Sequence, residues 1–187
     1  DVDAYFQWVD HLDILNLLGG EPFLYPQLLE LIKHIGGAYK SRINRIEFFS
    51  NATIIPSDEV LRACKRYDVS VQISDYSGAL PCKNKVEAFV ANLERYAIQY
   101  SRLLNDKWLD FGLLNDEKLF LSETEMTRFY DLCAPPFRGL YDKKLYFCHL
   151  NASAIQAGMY DDHANDSFDL RLYDKNKKKM LMEFDAG

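Results

Sequence analysis

At 187 residues and 21.7 kDa the chain suffices for one domain of ordinary size with room for a small second lobe, and its 48% hydrophobic and 27% charged residues exclude a disordered, collagen-like or coiled-coil protein. A net charge of -6 argues against nucleic acid as a ligand, because a polyanion needs a concentrated basic face. No run approaches the about eighteen apolar residues of a membrane span, and four scattered cysteines do not make a secreted disulfide scaffold, so they read as reduced thiols or metal ligands of a cytoplasmic protein.

The first hundred residues repeat one unit. An amphipathic stretch, Tyr5 to Leu12, precedes an apolar run from Ile14 to Leu18. Leu28, Leu31, Ile32 and Ile35 recur at helical spacing, with Gly36-Gly37 expected to stop that helix. A strand over Ile43 to Phe49 follows, broken at Ser50-Asn51-Ala52. Pro56-Ser57 opens the next helix with Ser57 as N-cap, and Val60, Leu61 and Cys64 form its buried stripe. Val69, Val71 and Ile73 alternate as a strand. Asn84 with Glu87 has the spacing of a capping box, ahead of a helix burying Val86, Phe89, Val90, Leu93 and Ala97. A fourth strand is placed around Tyr100 to Leu104.

Strand starts about thirty residues apart, with a helix between each pair, imply a parallel sheet with right-handed crossovers. A helix ahead of the first strand implies a strand before it, so the chain reads as a fragment of something longer. After about residue 105 the period is lost. Ser122 and Glu125 form a capping box within a mixed stretch from Leu119 to Tyr130. Leu140 to Phe147 reads as a hairpin around a polar turn, and residues 152 to 158 as a short helix. The organisation expected is a sheet-bearing part over residues 1–105 and an irregular auxiliary lobe over residues 106–187.

Gly19-Gly20-Glu21-Pro22 carries the most chemical information. It follows the first strand, at the carboxyl edge where ligand sites of parallel sheets gather. Two glycines let backbone approach a ligand, Glu21 can balance an ammonium group, and Pro22 stiffens the exit. The loop suits an amino-acid headgroup. Without Gly-x-Gly-x-x-Gly or a Walker loop, it does not suit a dinucleotide or a nucleoside triphosphate. A plain Gly-Gly turn before a proline is the alternative reading.

Taken together, Leu17 to Pro26, Ile46 to Thr53 and Val69 to Tyr76 resemble the radical S-adenosylmethionine (radical SAM) enzymes over about residues 3 to 105. The resemblance implies a partial (β/α)6 barrel, here without its first strand. It implies that Gly19, Gly20, Glu21 and Pro22 meet the methionine amino group of SAM. Ser50-Asn51-Ala52 resembles the family's Thr-Asn-Gly, and Ser74 and Asp75 fall where polar residues touch the SAM ribose. The family binds a [4Fe-4S] cluster through Cys-x3-Cys-x2-Cys, reduces SAM there with an electron from flavodoxin or ferredoxin, and uses the 5′-deoxyadenosyl radical on a peptide, a sugar or a partner enzyme. No cysteines here have that spacing, so the fragment alone is expected to be inactive, its cluster loop lying before Asp1. Cys133 and Cys148 flank the hairpin as in SPASM and twitch extensions, which implies auxiliary-cluster ligation, although Lys143 stands where those extensions have glycine. The alternatives are a cluster-less domain acting as a binding module and an unrelated α/β fold with a chance Gly-Gly-Glu-Pro.

Overall fold

A computed structural model describes residues 1–105, 122–133, 137–163, 166–174 and 178–186, without the side chains of 129–133 and 185–186. The chain divides into two compact units, His11–Phe111 and a second made of Asp1–Asp10 with Gly112–Gly187. Together they give a mixed α/β protein with a four-stranded parallel sheet and a separate three-stranded antiparallel sheet.

In the first unit β1 (Leu12–Leu17), β2 (Ile43–Ser50), β3 (Val69–Asp75) and β4 (Tyr100–Leu104) pair in sequence order. Between them run α2 (Leu28–Ala38), α3 (Asp58–Arg66) and α4 (Lys83–Arg95). A strand order that never reverses, with crossovers of one hand, lays every connecting helix on the same face of the sheet. That face is apolar: Ile46 and Phe48 lie in register with Val69 and Val71, all buried together with Ile73. Phe23 bridges it to α4, its ring 5.2 Å from Phe48 and 5.5 Å from Phe89. The alternate residues of β3, namely Ser70, Gln72 and Ser74, are half-buried on the other face.

Local signals explain most of these elements. Ser57 accepts the Val60 N–H at 3.4 Å, satisfying one of the orphan donors at the start of α3. Ser57→Ala is expected to lower stability by about 1 kcal/mol in urea unfolding, and Ser57→Asp to retain it. Two expectations fail. Gly36-Gly37 does not end α2, which continues to Ala38; Gly36 is there because Tyr67 packs on it, and a Cβ would lie 2.2 Å from Tyr67 Cγ. Nor do Asn84 and Glu87 cap α4, which begins at Lys83 with no side-chain cap, while Glu87 turns to Arg102. Ala97 lies beyond α4, which ends at Arg95, in a left-handed turn of φ 50°.

The second unit starts with α1 (Val2–Trp8). It then has α5 (Glu123–Cys133), β5 (Gly139–Tyr141), β6 (Lys144–Tyr146), α6 (His149–Gln156), β7 (Ser167–Asp169) and α7 (Lys178–Ala186). Residues 119–121 of the mixed stretch lie outside the described residues. Ser122 and Glu125 do form a capping box, the Ser122 N–H donating to the Glu125 carboxylate at 2.9 Å and Ser122 Oγ accepting the Glu125 N–H at 3.4 Å. Asp142 and Lys143 turn the hairpin at φ 46° and 57°, a two-residue turn whose twist matches its strands. Trp8 anchors the core beside Leu145, Leu170 and Leu181, and its indole N–H donates to the Leu170 carbonyl at 2.8 Å. No helix among the described residues is long and apolar enough to cross a membrane.

Candidate functional site

The strand order brings the turns after β1 and β2 side by side at the carboxyl edge of the sheet. Glu21 joins them. It caps the 3-10 turn Pro22–Leu24, its Oε1 accepting the Phe23 N–H at 3.2 Å. From the end of β2, Ser50 Oγ donates to Oε1 at 2.9 Å and Oε2 at 3.1 Å, and the Asn51 N–H donates to Oε2 at 2.9 Å. Ser50 is 2% exposed and its Oγ also accepts the Ala52 N–H at 3.0 Å, so the clamp is rooted in the core. Asn51 faces forward: its Oδ1 accepts the Thr53 N–H at 3.0 Å and the Thr53 hydroxyl at 2.5 Å.

Three donors therefore fix the Glu21 carboxylate, which has about four acceptor positions. No Lys, Arg or His among the described residues pairs with it. A part-buried, orientated anion without a counter-charge is what remains. Gly19 and Gly20 flank it with nothing within 4 Å of where a Cβ would stand and no left-handed φ. Neither packing nor backbone conformation demands glycine at these positions. Pro22 is buried beneath the turn. Ala52, fully buried, holds φ 57°, a conformation that glycine adopts freely and alanine does not.

The two residues at the end of β3 part company. Ser74 lies on the polar face. Asp75, 1% exposed, accepts the Ser77 N–H at 2.8 Å and Arg102 Nε at 2.7 Å, while the same guanidinium reaches Glu87 at 3.0 Å. Burial pushes the Asp75 carboxyl up, but the Ser77 hydrogen bonds and the Arg102 charge outweigh it and hold it below the usual carboxylate range. Asp75 is thus committed to Arg102 and Ser77. Sequence reasoning missed Arg102, although a cation on the strand beside a buried Asp was a usable signal.

Two depressions lie near the Glu21 turn without including it. One, of about 320 Å³, is lined by Phe23, Tyr25, Leu28, Leu29, Ile55 and Val60, and the other, of about 440 Å³, by residues from Thr53 to Ile55 and from α4. The first also has Glu30, Ser57 and Glu59 in its wall, but Glu21 lies in neither.

The metal candidates do not assemble. Among the described residues no three His, Cys, Asp or Glu side chains converge as a metal ion requires. Cys148, a half-buried free thiol, precedes α6, and the side chain of Cys133 lies outside the described residues. Among the described residues His149 Nδ1 is buried without a partner. Burial pushes the Cys64 thiol up to about 12, which makes it an inert core group. These residues do not fit the three-thiolate cluster of a radical SAM enzyme. Asp162, Asp166 and Asp169 serve local structure: Asp162 pairs with Lys144, Asp166 accepts the His163 N–H, and Asp169 accepts the Arg171 N–H.

No family model matches the chain, and neither a curated protein nor a solved structure is significantly similar to it.

Proposed function

We propose that the His11–Phe111 unit is the S-adenosylmethionine-binding part of a radical SAM enzyme, a segment of its partial (β/α)6 barrel. Gly19, Gly20 and Glu21 receive the methionine ammonium, with Pro22 stiffening the turn beneath them. The observation that carries this reading is the Glu21 carboxylate, held by Phe23, Ser50 and Asn51 with its charge unmatched. An ammonium group supplies the missing charge and the remaining donor. The left-handed backbone at Ala52 supports it too, since the family's Thr-Asn-Gly has at this position the residue best suited to that conformation. The strand order, which runs through four strands without reversing, is compatible with a segment of a barrel and supports the reading.

In the family, a [4Fe-4S] cluster supplies the electron that cleaves SAM. Because the described cysteines do not fit that cluster, this chain's own part is confined to binding and orientation. Ser50 and Asn51 fix the carboxylate, and the glycines leave the approach open.

Titration of the full ¹⁵N-labelled chain with SAM tests the reading. SAM is expected to shift the Gly20 and Asn51 amides, and Glu21→Gln to weaken it about tenfold. Methylthioadenosine, which lacks the amino-acid arm, should leave those amides in place. Equal shifts with both compounds, or none with SAM, would overturn the proposal.

A further inference from the structure

The turn that holds Glu21 also carries a set of unused donors, on Asn51. Asn51 Oδ1 accepts two hydrogen bonds, from the Thr53 N–H at 3.0 Å and from the Thr53 hydroxyl at 2.5 Å. A backbone N–H can only donate, so the oxygen of the carboxamide faces Thr53 and the nitrogen faces away from it. That nitrogen, Nδ2, makes no hydrogen bond among the described residues. It is not buried either: the unpaired buried side-chain atoms among the described residues are Asn16 Oδ1 and His149 Nδ1, so Asn51 Nδ2 is open to solvent. The N–H of the same residue donates to Glu21 Oε2 at 2.9 Å. Covalent geometry therefore keeps the free amide beside the carboxylate.

One short stretch thus presents a fixed anion and, next to it, two N–H donors whose direction Thr53 sets. An ammonium group pairs with Glu21. A carboxylate beside that ammonium would be repelled by Glu21 unless a donor received it, and Nδ2 is such a donor. An α-amino acid carries both groups on one carbon. A plain amine would use Glu21 alone and leave the Asn51 amide to water. We infer that Asn51 is the specificity-determining residue of this turn, its side-chain amide reading the α-carboxylate that separates an amino-acid headgroup from a simple amine. The inference rests on the proposed reading, in which Glu21 takes the ammonium. Thr53 enters only by fixing which end of the amide the ligand meets.

SAM and its decarboxylated counterpart, which keeps the amine and the adenosyl group and lacks only the carboxylate, are the probes, each titrated into the ¹⁵N-labelled full chain. Charge alone favours the decarboxylated compound, which carries one negative charge fewer. SAM is nevertheless expected to bind about tenfold more tightly and to shift the side-chain NH2 signals of Asn51, which the decarboxylated compound leaves in place. Asn51→Asp keeps an oxygen for Thr53 and replaces the free donors by a second acceptor. It should weaken SAM at least about tenfold while the decarboxylated amine binds as before or more tightly. Equal affinity of the two compounds, with the Gly20 amide shifting for both, overturns the inference and leaves the ammonium on Glu21. A response to neither overturns the underlying reading and the inference together. If Asn51→Asp does not fold, the Asn51 side-chain signals and the affinity ratio on the unsubstituted chain decide.

Discussion

Arg102→Ala is expected to lower the stability of the sheet-bearing unit by about 2 kcal/mol, read as a lower urea midpoint by circular dichroism. The reason is asymmetry in the pair. Arg102 is one-third exposed and can be lost to solvent, but Asp75 is almost wholly buried and would keep its charge without a partner. The full cost of a buried charge is not expected, because the Ser77 N–H still holds the carboxylate and water reaches the gap. Adding Asp75→Asn to Arg102→Ala should recover part of the loss, since a neutral amide needs no cation. The pH dependence has a definite sign. The folded pKa of Asp75 is depressed, so its contribution is complete above the unfolded value near 3.8 and is lost as pH falls through the folded value. Above pH 5 this pair should give no slope; in the Arg102→Ala variant the acid-side loss should shrink.

Gly36→Ala is expected to cost about 2 kcal/mol, against the usual rule for glycine in a helix. Helix propensity alone favours alanine by about 1 kcal/mol. The new methyl, however, would lie 2.2 Å from Tyr67 Cγ and 2.7 Å from Tyr67 Cβ, atoms close to the backbone that cannot swing away. Overpacking of this kind costs up to about 3 kcal/mol and outweighs the propensity gain. In a Tyr67→Ala background the same substitution should become neutral or stabilising. If Gly36→Ala alone raises the urea midpoint, the close packing of α2 on Tyr67 is wrong.

The parallel sheet was legible because its signals are local. Val69, Val71 and Ile73 alternate with polar residues, Ser57 caps α3, and the thirty-residue period separates the strands. Misreadings came where distant packing decides. Gly36-Gly37 looks like a helix stop until Tyr67, thirty-one residues on, is seen against it. Glu87 has capping-box spacing, but Arg102 from β4 claims its carboxylate. Amphipathicity put a helix over Tyr5 to Leu12, of which Tyr5–Trp8 is helical and Leu12 already belongs to β1, and could not say which core would take Trp8. In the candidate site, Glu21 was visible from its motif, and the Ser50-Asn51 clamp only through a resemblance.

The two-sided character of β3 has a consequence for how this chain can vary. Positions 69, 71, 73 and 75 are locked into the helix-covered interior, where any change of volume or charge disturbs neighbours on three elements. Positions 70, 72 and 74 alternate with them on the opposite, half-buried face. Descendants of this sequence could therefore rewrite every second residue of the strand and keep the same scaffold, so that inheritance of shape and novelty of chemistry share one stretch of seven residues.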